Sequence, residues 1–215
     1  RRGADGENRR AAWKGDGITG QHTVLYGYSV QTQHVRYELA SGLSIPTSYP
    51  PEFQPYLQAT DGIQVNDPLI DKTLRTILAG TQGDIRSALT AIHRHLQDKY
   101  KNRNFSGYTD ALTALKLGEA SCNGKSRLFA AYARKLNLPA RLVGGVILER
   151  GTKRTSHQWV EVYVRGHWIP FDTINDHYAE IPANYLTLYY GDLGLFKHTA
   201  NINFQYFFKM SRRME

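Results

Sequence analysis

The chain has 215 residues, of which 41% are hydrophobic and 21% charged, and its 27 Lys and Arg against 19 Asp and Glu give a formal net charge of +8. This composition is typical of a globular protein and excludes a disordered or fibrous chain. A single cysteine excludes an intrachain disulfide and a cysteine-rich zinc or iron–sulfur site. The basic residues form no helical stripe interleaved with aromatic residues, so nucleic acid is not an expected partner.

The first 40 residues have the pattern of β-structure. Apolar and polar residues alternate over residues 22–31, and Gly15–Asp16–Gly17 offers a turn between this strand and one that starts near Trp13. We therefore expect a hairpin in residues 1–40, as the end of a larger β-subdomain. The chain does not begin with Met, and its polar start lacks a secretory signal. We expect it to be a piece of a longer protein.

A proline-rich segment and two helices follow. Residues 41–65 contain four prolines, which predicts a linker, and residues 66–215 are expected to form the main domain. Asp67 followed by Pro68 is typical of a helix start, with Asp as the N-cap and Pro in the first helical position. Asp84 is the expected N-cap of the next helix.

After Gly118 the pattern becomes mixed. One helix and a set of β-rich segments are expected, and helices segregated from an antiparallel sheet indicate an α+β fold. The helix is predicted over residues 123–136, the β-rich segments over 141–149, 157–165 and 167–172, and aromatic-rich segments over 185–190 and 201–208.

The only cysteine is expected at the start of a helix. Ser121 is a favoured N-cap residue, which places Cys122 in the first helical turn. The positive helix terminus favours a thiolate there, but a dipole effect of about 1–2 kcal/mol corresponds to only about one pKa unit. A dominant thiolate therefore requires a histidine in contact with the sulfur.

His157 is the best candidate for that histidine because of strand geometry. If Arg165–Gly166 forms a two-residue hairpin loop, Trp159 pairs with Asp172 on the next strand. His157 then lies on the same face of the sheet as Asp172 and diagonally opposite to it. A change of one residue in the loop would put the two side chains on opposite faces.

These three residues predict a nucleophile, a base and an orienting acid. Cys122 would attack an acyl group, His157 would transfer protons and Asp172 would fix the imidazole, which gives acyl transfer through a thioester. The acceptor could be water or an amine. The backbone N–H of Cys122 would stabilise the oxyanion, with Tyr108 or Trp159 as candidates for the second donor.

Several segments resemble the transglutaminase-like superfamily of papain-like cysteine enzymes. The resemblance covers roughly residues 83–176 and implies that Cys122, His157 and Asp172 are the nucleophile, histidine and aspartate of that superfamily. The segments are Gly118–Cys122, Leu138–Pro139–Ala140–Arg141 with Gly144, His157–Gln158–Trp159–Val160–Glu161–Val162 and Trp168–Ile169–Pro170–Phe171–Asp172.

Other segments resemble a narrower bacterial family in which this domain lies between one transmembrane helix and seven more. That family is described as an inactive transglutaminase and is associated with an ATP-grasp peptide ligase and a retropepsin-like aspartic protease. The resemblance implies a periplasmic domain of an inner-membrane protein with attached transmembrane helices. Its segments are Asn8–Arg9–Arg10–Ala11–Ala12–Trp13, Asn123–Gly124–Lys125–Ser126–Arg127–Leu128–Phe129, Lys153–Arg154–Thr155–Ser156–His157 and Asn201–Ile202–Asn203–Phe204.

Four residues are expected to bind the substrate. Lys125 and Arg127 follow the cysteine, where catalytic members of the superfamily commonly have small or acidic residues, and their charges would suit an acidic peptide. Trp159 and Tyr108 complete the set. No cofactor is expected.

Three functions remain open from the sequence. A binding module that recognises a peptide or cell-wall fragment and signals to membrane helices is slightly favoured for the whole protein. A cysteine-dependent amidase, peptidase or acyltransferase is the alternative. A metal site at His93 and His95 is disfavoured, because residues two apart on a helix point to different faces, and no metal is expected.

Overall fold

The computed structural model describes residues 8–17, 19–103, 109–199 and 203–211. Within these residues the chain combines four α-helices with an antiparallel sheet, which confirms the expected α+β class. None of the helices in the described ranges is long and apolar enough to span a membrane.

The helices begin where the capping residues predict. The Asp67 carboxylate accepts a hydrogen bond from the Leu69 N–H, and the Asp84 carboxylate accepts one from the Ser87 N–H, each over 2.8 Å. These bonds satisfy N–H groups that lack a partner inside the helix. The helices are α1 (Pro68–Leu78), α2 (Ile85–Lys99), α3 (Ala111–Leu117) and α4 (Cys122–Lys135), and a 3-10 helix covers Pro51–Tyr56.

Five strands form the main sheet, in the spatial order β10, β4, β6, β7, β8, with all neighbours antiparallel. These strands are β4 (Ala140–Ile147), β6 (His157–Val164), β7 (His167–Asp172), β8 (His177–Tyr178) and β10 (Tyr185–Tyr190). Three short pairs surround the sheet, and their strands are β1 (Val35–Arg36) with β9 (Glu180–Ile181), β2 (Lys101–Asn102) with β3 (Glu119–Ala120) and β5 (Gly151–Lys153) with β11 (Phe208–Met210).

The predicted hairpin loop gives the predicted register. Val160 pairs with Phe171 and Val164 with His167, so the neighbouring pair is Trp159 with Asp172. Val160 and Phe171 belong to the main core, whereas Trp159 packs in a smaller cluster with Val143 and Tyr185. The two clusters lie on opposite faces of the sheet because successive strand residues alternate between faces.

Helix α4 is the centre of the main core. Eleven consecutive residues, Gly124 to Arg134, are buried. Gly124 is required for this packing, because a Cβ there would lie only 2.8 Å from the Cβ of Ala120. The Phe129 ring stacks on Phe171 at 5.1 Å, which joins the helix to the sheet.

The expected N-terminal hairpin is absent from the described residues 8–17 and 19–34. No strand is assigned over residues 22–31, and Val24, Leu25 and Tyr26 are exposed. Apolar alternation produces a strand only when a second strand or a core covers the apolar face. In the described structure, residues 22–31 pair with no strand and pack on no core. Whether a larger β-subdomain precedes this segment stays a prediction.

The proline-rich segment is part of the domain, which corrects its interpretation as a linker. Leu43, Ile63 and Val65 are buried in the main core. Phe53 packs against Tyr163 with ring centroids 4.3 Å apart. Prolines punctuate the segment, but its apolar residues anchor it along the helices and sheet.

We expect Phe129→Ala to lower the free energy of unfolding by about 3–5 kcal/mol, because the fully buried ring leaves a cavity between α4 and the sheet. Denaturant titration followed by circular dichroism measures this change. Phe207→Ala is the matched control, since that ring is 53% exposed. An equal loss in both variants would contradict the central position of α4.

Candidate active site

Cys122 is the first residue of α4. Ser121 is the N-cap and has extended backbone angles, but its side chain makes no capping hydrogen bond in the described part of the chain. The first N–H groups of a helix have no intrahelical acceptor, so they stay available beside the cysteine. The Cys122 side chain is half-buried, and its Sγ lies 3.6 Å from Asn123 Oδ1.

His157 and Asp172 meet as the register requires. His157 Nε2 lies 2.6 Å from Asp172 Oδ2, and the carboxylate is almost fully buried. Because Nε2 is occupied by the carboxylate, Nδ1 is the ring nitrogen left for Cys122, whose side chain helps to raise the pKa of His157. The structure thus brings together the three residues that the sequence singled out.

Two further residues bind the same carboxylate, and sequence reasoning missed both. Tyr185 donates its hydroxyl to Asp172 Oδ2 over 2.6 Å, and Asn175 Nδ2 donates to the same oxygen over 2.9 Å. The backbone N–H of Ile174 binds the other oxygen over 2.9 Å. Asn175 had a local signal, because Asp and Asn three residues apart often form such turns. Tyr185 had none, since its strand pairs with β4, nearly 40 residues earlier in the chain.

These contacts determine the charges of the site. Burial disfavours the charged form of His157, but its hydrogen bond to Asp172 and its interaction with Cys122 outweigh burial and raise its pKa to about 9. Burial likewise acts to raise the pKa of Asp172, but the bonds from His157, Tyr185 and Asn175 hold it far below its usual range. At neutral pH the site therefore contains an imidazolium and a carboxylate.

Two glycines of β4 make room for aromatic walls. A Cβ on Gly144 would overlap the ring of Tyr189, and a Cβ on Gly145 would come within 2.7 Å of the Trp159 ring. The Trp159 ring in turn stacks on His157, with centroids 6.2 Å apart. Trp159 therefore supports the imidazole from behind. Trp159 is only 1% exposed, and its role in substrate binding stays a prediction.

The two basic residues after the cysteine are also buried, which contradicts their predicted role in substrate binding. Arg127 donates to both carboxylate oxygens of Asp192, over 2.6 to 3.2 Å, and to the Thr109 carbonyl over 2.8 Å. Lys125 is 1% exposed. Because residues 124–134 of α4 are all buried, the polar side chains among them are enclosed as well.

Two other sequence interpretations concern the surroundings of the site. Tyr108, a candidate oxyanion donor and substrate contact, lies outside the described residues. His93 is buried on α2, with Nδ1 3.8 Å from Asp176. Within the described ranges no group of three His, Cys, Asp or Glu side chains could hold a metal ion.

We expect Asp172→Asn to lower the pKa of His157 from about 9 to its model-peptide value of about 6.5 or below, because burial is then opposed only by the weaker contact with Cys122. NMR titration of the His157 ring protons measures this. An unchanged pKa would mean that the carboxylate does not hold the imidazolium. His167→Ala, on the exposed end of β7, is a control that should leave the His157 titration unchanged.

Comparisons with known proteins agree with this arrangement. Residues 71–173, just under half of the chain, match the profile of the transglutaminase-like superfamily. No curated protein matches the chain significantly.

Two solved structures align with parts of this chain at low sequence identity. A structure described as a cysteine protease from Cytophaga hutchinsonii aligns with a TM-score of 0.52 and 20% identity, over 69% of this chain and 50% of its own. The periplasmic domain of TgpA from Pseudomonas aeruginosa, bound to ethylmercury, aligns with a TM-score of 0.45 and 15% identity, over 59% of this chain and 50% of its own. The chain thus spans half the length of these two structures. The chain has an α+β fold whose core is similar to the transglutaminase-like superfamily.

Proposed function

We propose that this domain is a cysteine-dependent enzyme that cleaves or transfers an acyl group from an amide through a thioester on Cys122. One observation carries the proposal. A half-buried cysteine at a helix start interacts electrostatically with a histidine, and that histidine lies 2.6 Å from a buried carboxylate. The same arrangement of nucleophile, base and orienting acid supports acyl transfer on unrelated folds.

The first step is attack of the Cys122 thiolate on the amide carbonyl carbon. His157 stores the proton as an imidazolium, which the Asp172 carboxylate stabilises. As the tetrahedral intermediate collapses, the C–N bond breaks and His157 gives this proton to the leaving nitrogen. An amine leaves and a thioester remains on Cys122.

The oxyanion of the intermediate would lie at the N-terminus of α4. The N–H of Cys122 belongs to the first turn of α4, where N–H groups have no intrahelical acceptor. It is the donor that we assign to the oxyanion when negative charge develops on the carbonyl oxygen.

The second step releases the acyl group and regenerates the free enzyme. His157, now neutral, removes a proton from water or from an amine, and the resulting nucleophile attacks the thioester carbon. The C–S bond breaks, the thiolate leaves and the imidazolium forms again. Water gives hydrolysis, whereas an amine gives a new amide bond.

The substrate class and the cellular setting are further parts of the proposal. A peptide or peptide-like amide fits the chemistry, whereas the burial of Lys125 and Arg127 removes the basis for a preference for acidic peptides. The sequence resemblance supports an extracytoplasmic domain with attached transmembrane helices, working beside an ATP-grasp ligase and an aspartic protease. A binding module without turnover is the competing function, and it requires no imidazolium beside the sulfur.

Alkylation of Cys122 by iodoacetamide between pH 4 and 10 tests the proposal. We expect the rate to reach its plateau at or below about pH 6, well under the free-thiol pKa of about 8.5, because the imidazolium stabilises the thiolate. His157→Ala should remove this plateau and make the rate rise only near pH 8.5. His167→Ala is the matched control and should behave as wild type.

Acyl transfer itself is tested with p-nitrophenyl acetate. We expect a burst of one p-nitrophenolate per chain and an acetyl group on Cys122 by mass spectrometry, both lost in Cys122→Ala. An inert or unlabelled cysteine in the wild type would overturn the enzyme proposal in favour of the binding module.

A further inference from the structure

A lysine is buried on the helix that begins with Cys122. Lys125 is 1% exposed, although lysines are almost never fully buried without a partner. It is the third residue after Cys122, so the two residues lie on the same face of α4, about one turn apart. In this position its charge cannot be solvated from outside the protein.

The lysine also lacks an ion pair. Among the residues that the structure describes, the salt bridges of the α4 cations involve Arg127 with Asp192 and Lys135 with Asp71, and none involves Lys125. Burial lowers the pKa of Lys125, and the carboxylate of Asp172 opposes this fall. A buried ammonium group without a direct partner is costly and calls for an explanation.

The net charge of the proposed catalytic site offers an explanation for this buried lysine. In its reactive form the triad contains a thiolate, an imidazolium and a carboxylate, which sum to one negative charge in a largely buried place. The Asp172 carboxylate is already stabilised by neutral donors, but those donors do not cancel its charge. One further positive charge inside the protein would make the cluster neutral.

We propose that Lys125 is a positioning residue whose buried ammonium group neutralises the Cys122–His157–Asp172 cluster and thereby extends the thiolate form to lower pH. This inference rests on the proposed function, because it assigns Lys125 a role in that same site. The lysine need not touch the substrate, which would agree with its complete burial.

The other charged groups around this interior do not replace it. Arg127 follows on the same helix, but its guanidinium is neutralised by the two oxygens of Asp192. His93 on α2 interacts with Asp172, yet burial lowers its pKa, so it is mostly neutral at pH 7. Lys125 is then the cation left to balance the cluster among the described groups of α2, α4, β6 and β7.

The direct test measures the iodoacetamide profile of Lys125→Met. Removing a positive charge raises the pH at which both the thiol and the imidazolium lose their protons. We expect the midpoint of the acid limb to move up by about one pH unit, as for a unit charge about 12 Å away at an effective dielectric constant of about 20. Lys125→Arg should restore most of the wild-type profile.

The matched control is Lys135→Met, which removes a partly exposed lysine from the far end of the same helix and should leave the profile unchanged. Methionine is close to lysine in volume, and replacing a buried charge by an apolar side chain is often neutral or stabilising. A denaturant titration of Lys125→Met should therefore show no loss of stability. A profile that overlays the wild type would overturn the inference.

A second readout separates this inference from the proposed function. NMR titration of His157 in Lys125→Met should give a pKa above the wild-type value of about 9, whether or not Cys122 reacts. If the wild-type thiol is inert but the His157 titration still moves upward, the proposed enzyme function fails and the charge balance stands. If the titration does not move, the charge balance fails.

Discussion

The short hydrogen bond between His157 and Asp172 is the constraint around which the rest of the domain is arranged. A carboxylate buried to 1% exposure is stable only when its oxygens are fully bonded. The fold supplies the partners from three places: the register of β6 and β7, the turn that carries Ile174 and Asn175, and the hydroxyl of Tyr185 on β10. The turn is the only one of the three that bonds both oxygens of the carboxylate in the described structure.

The cysteine is positioned by helix α4, which is buried over residues 124–134. Helix α4 buries its arginines as well as its apolar residues, and each buried guanidinium binds a neighbouring segment. Arg127 joins the helix to Thr109 and Asp192, and Arg134 binds the carbonyls of Gln58 and Ala140. The nucleophile is thereby fixed relative to the sheet, and a site positioned on rigid elements can hold reacting groups within a fraction of an ångström.

Local signals in the sequence were sufficient wherever the structure depends on neighbours along the chain. Asp67 and Asp84 cap their helices, and the two-residue loop at Arg165–Gly166 determines the parity that brings His157 to Asp172. Local signals were not sufficient where secondary structure or burial depends on which other segments pack against a residue. The alternation near Tyr26 lacks a covering layer, and Lys125 is polar but enclosed. Tyr185 reaches the site only through the pairing of β10 with β4, which no local pattern reveals.

The uncapped start of α4 lowers the stability of the helix but leaves its N-terminus open for the proposed oxyanion. Ser121 has a side chain able to cap the helix, and a serine cap is typically worth about 1 kcal/mol, yet its hydroxyl is buried and finds no hydrogen-bond partner among the described residues. The helix thus forgoes a stabilising contact at the one end where a bound oxyanion can replace it. A substitution selected only for thermal stability would tend to fill this cap. Such a variant would have a higher free energy of unfolding, but its capping side chain would compete with the oxyanion of the proposed mechanism.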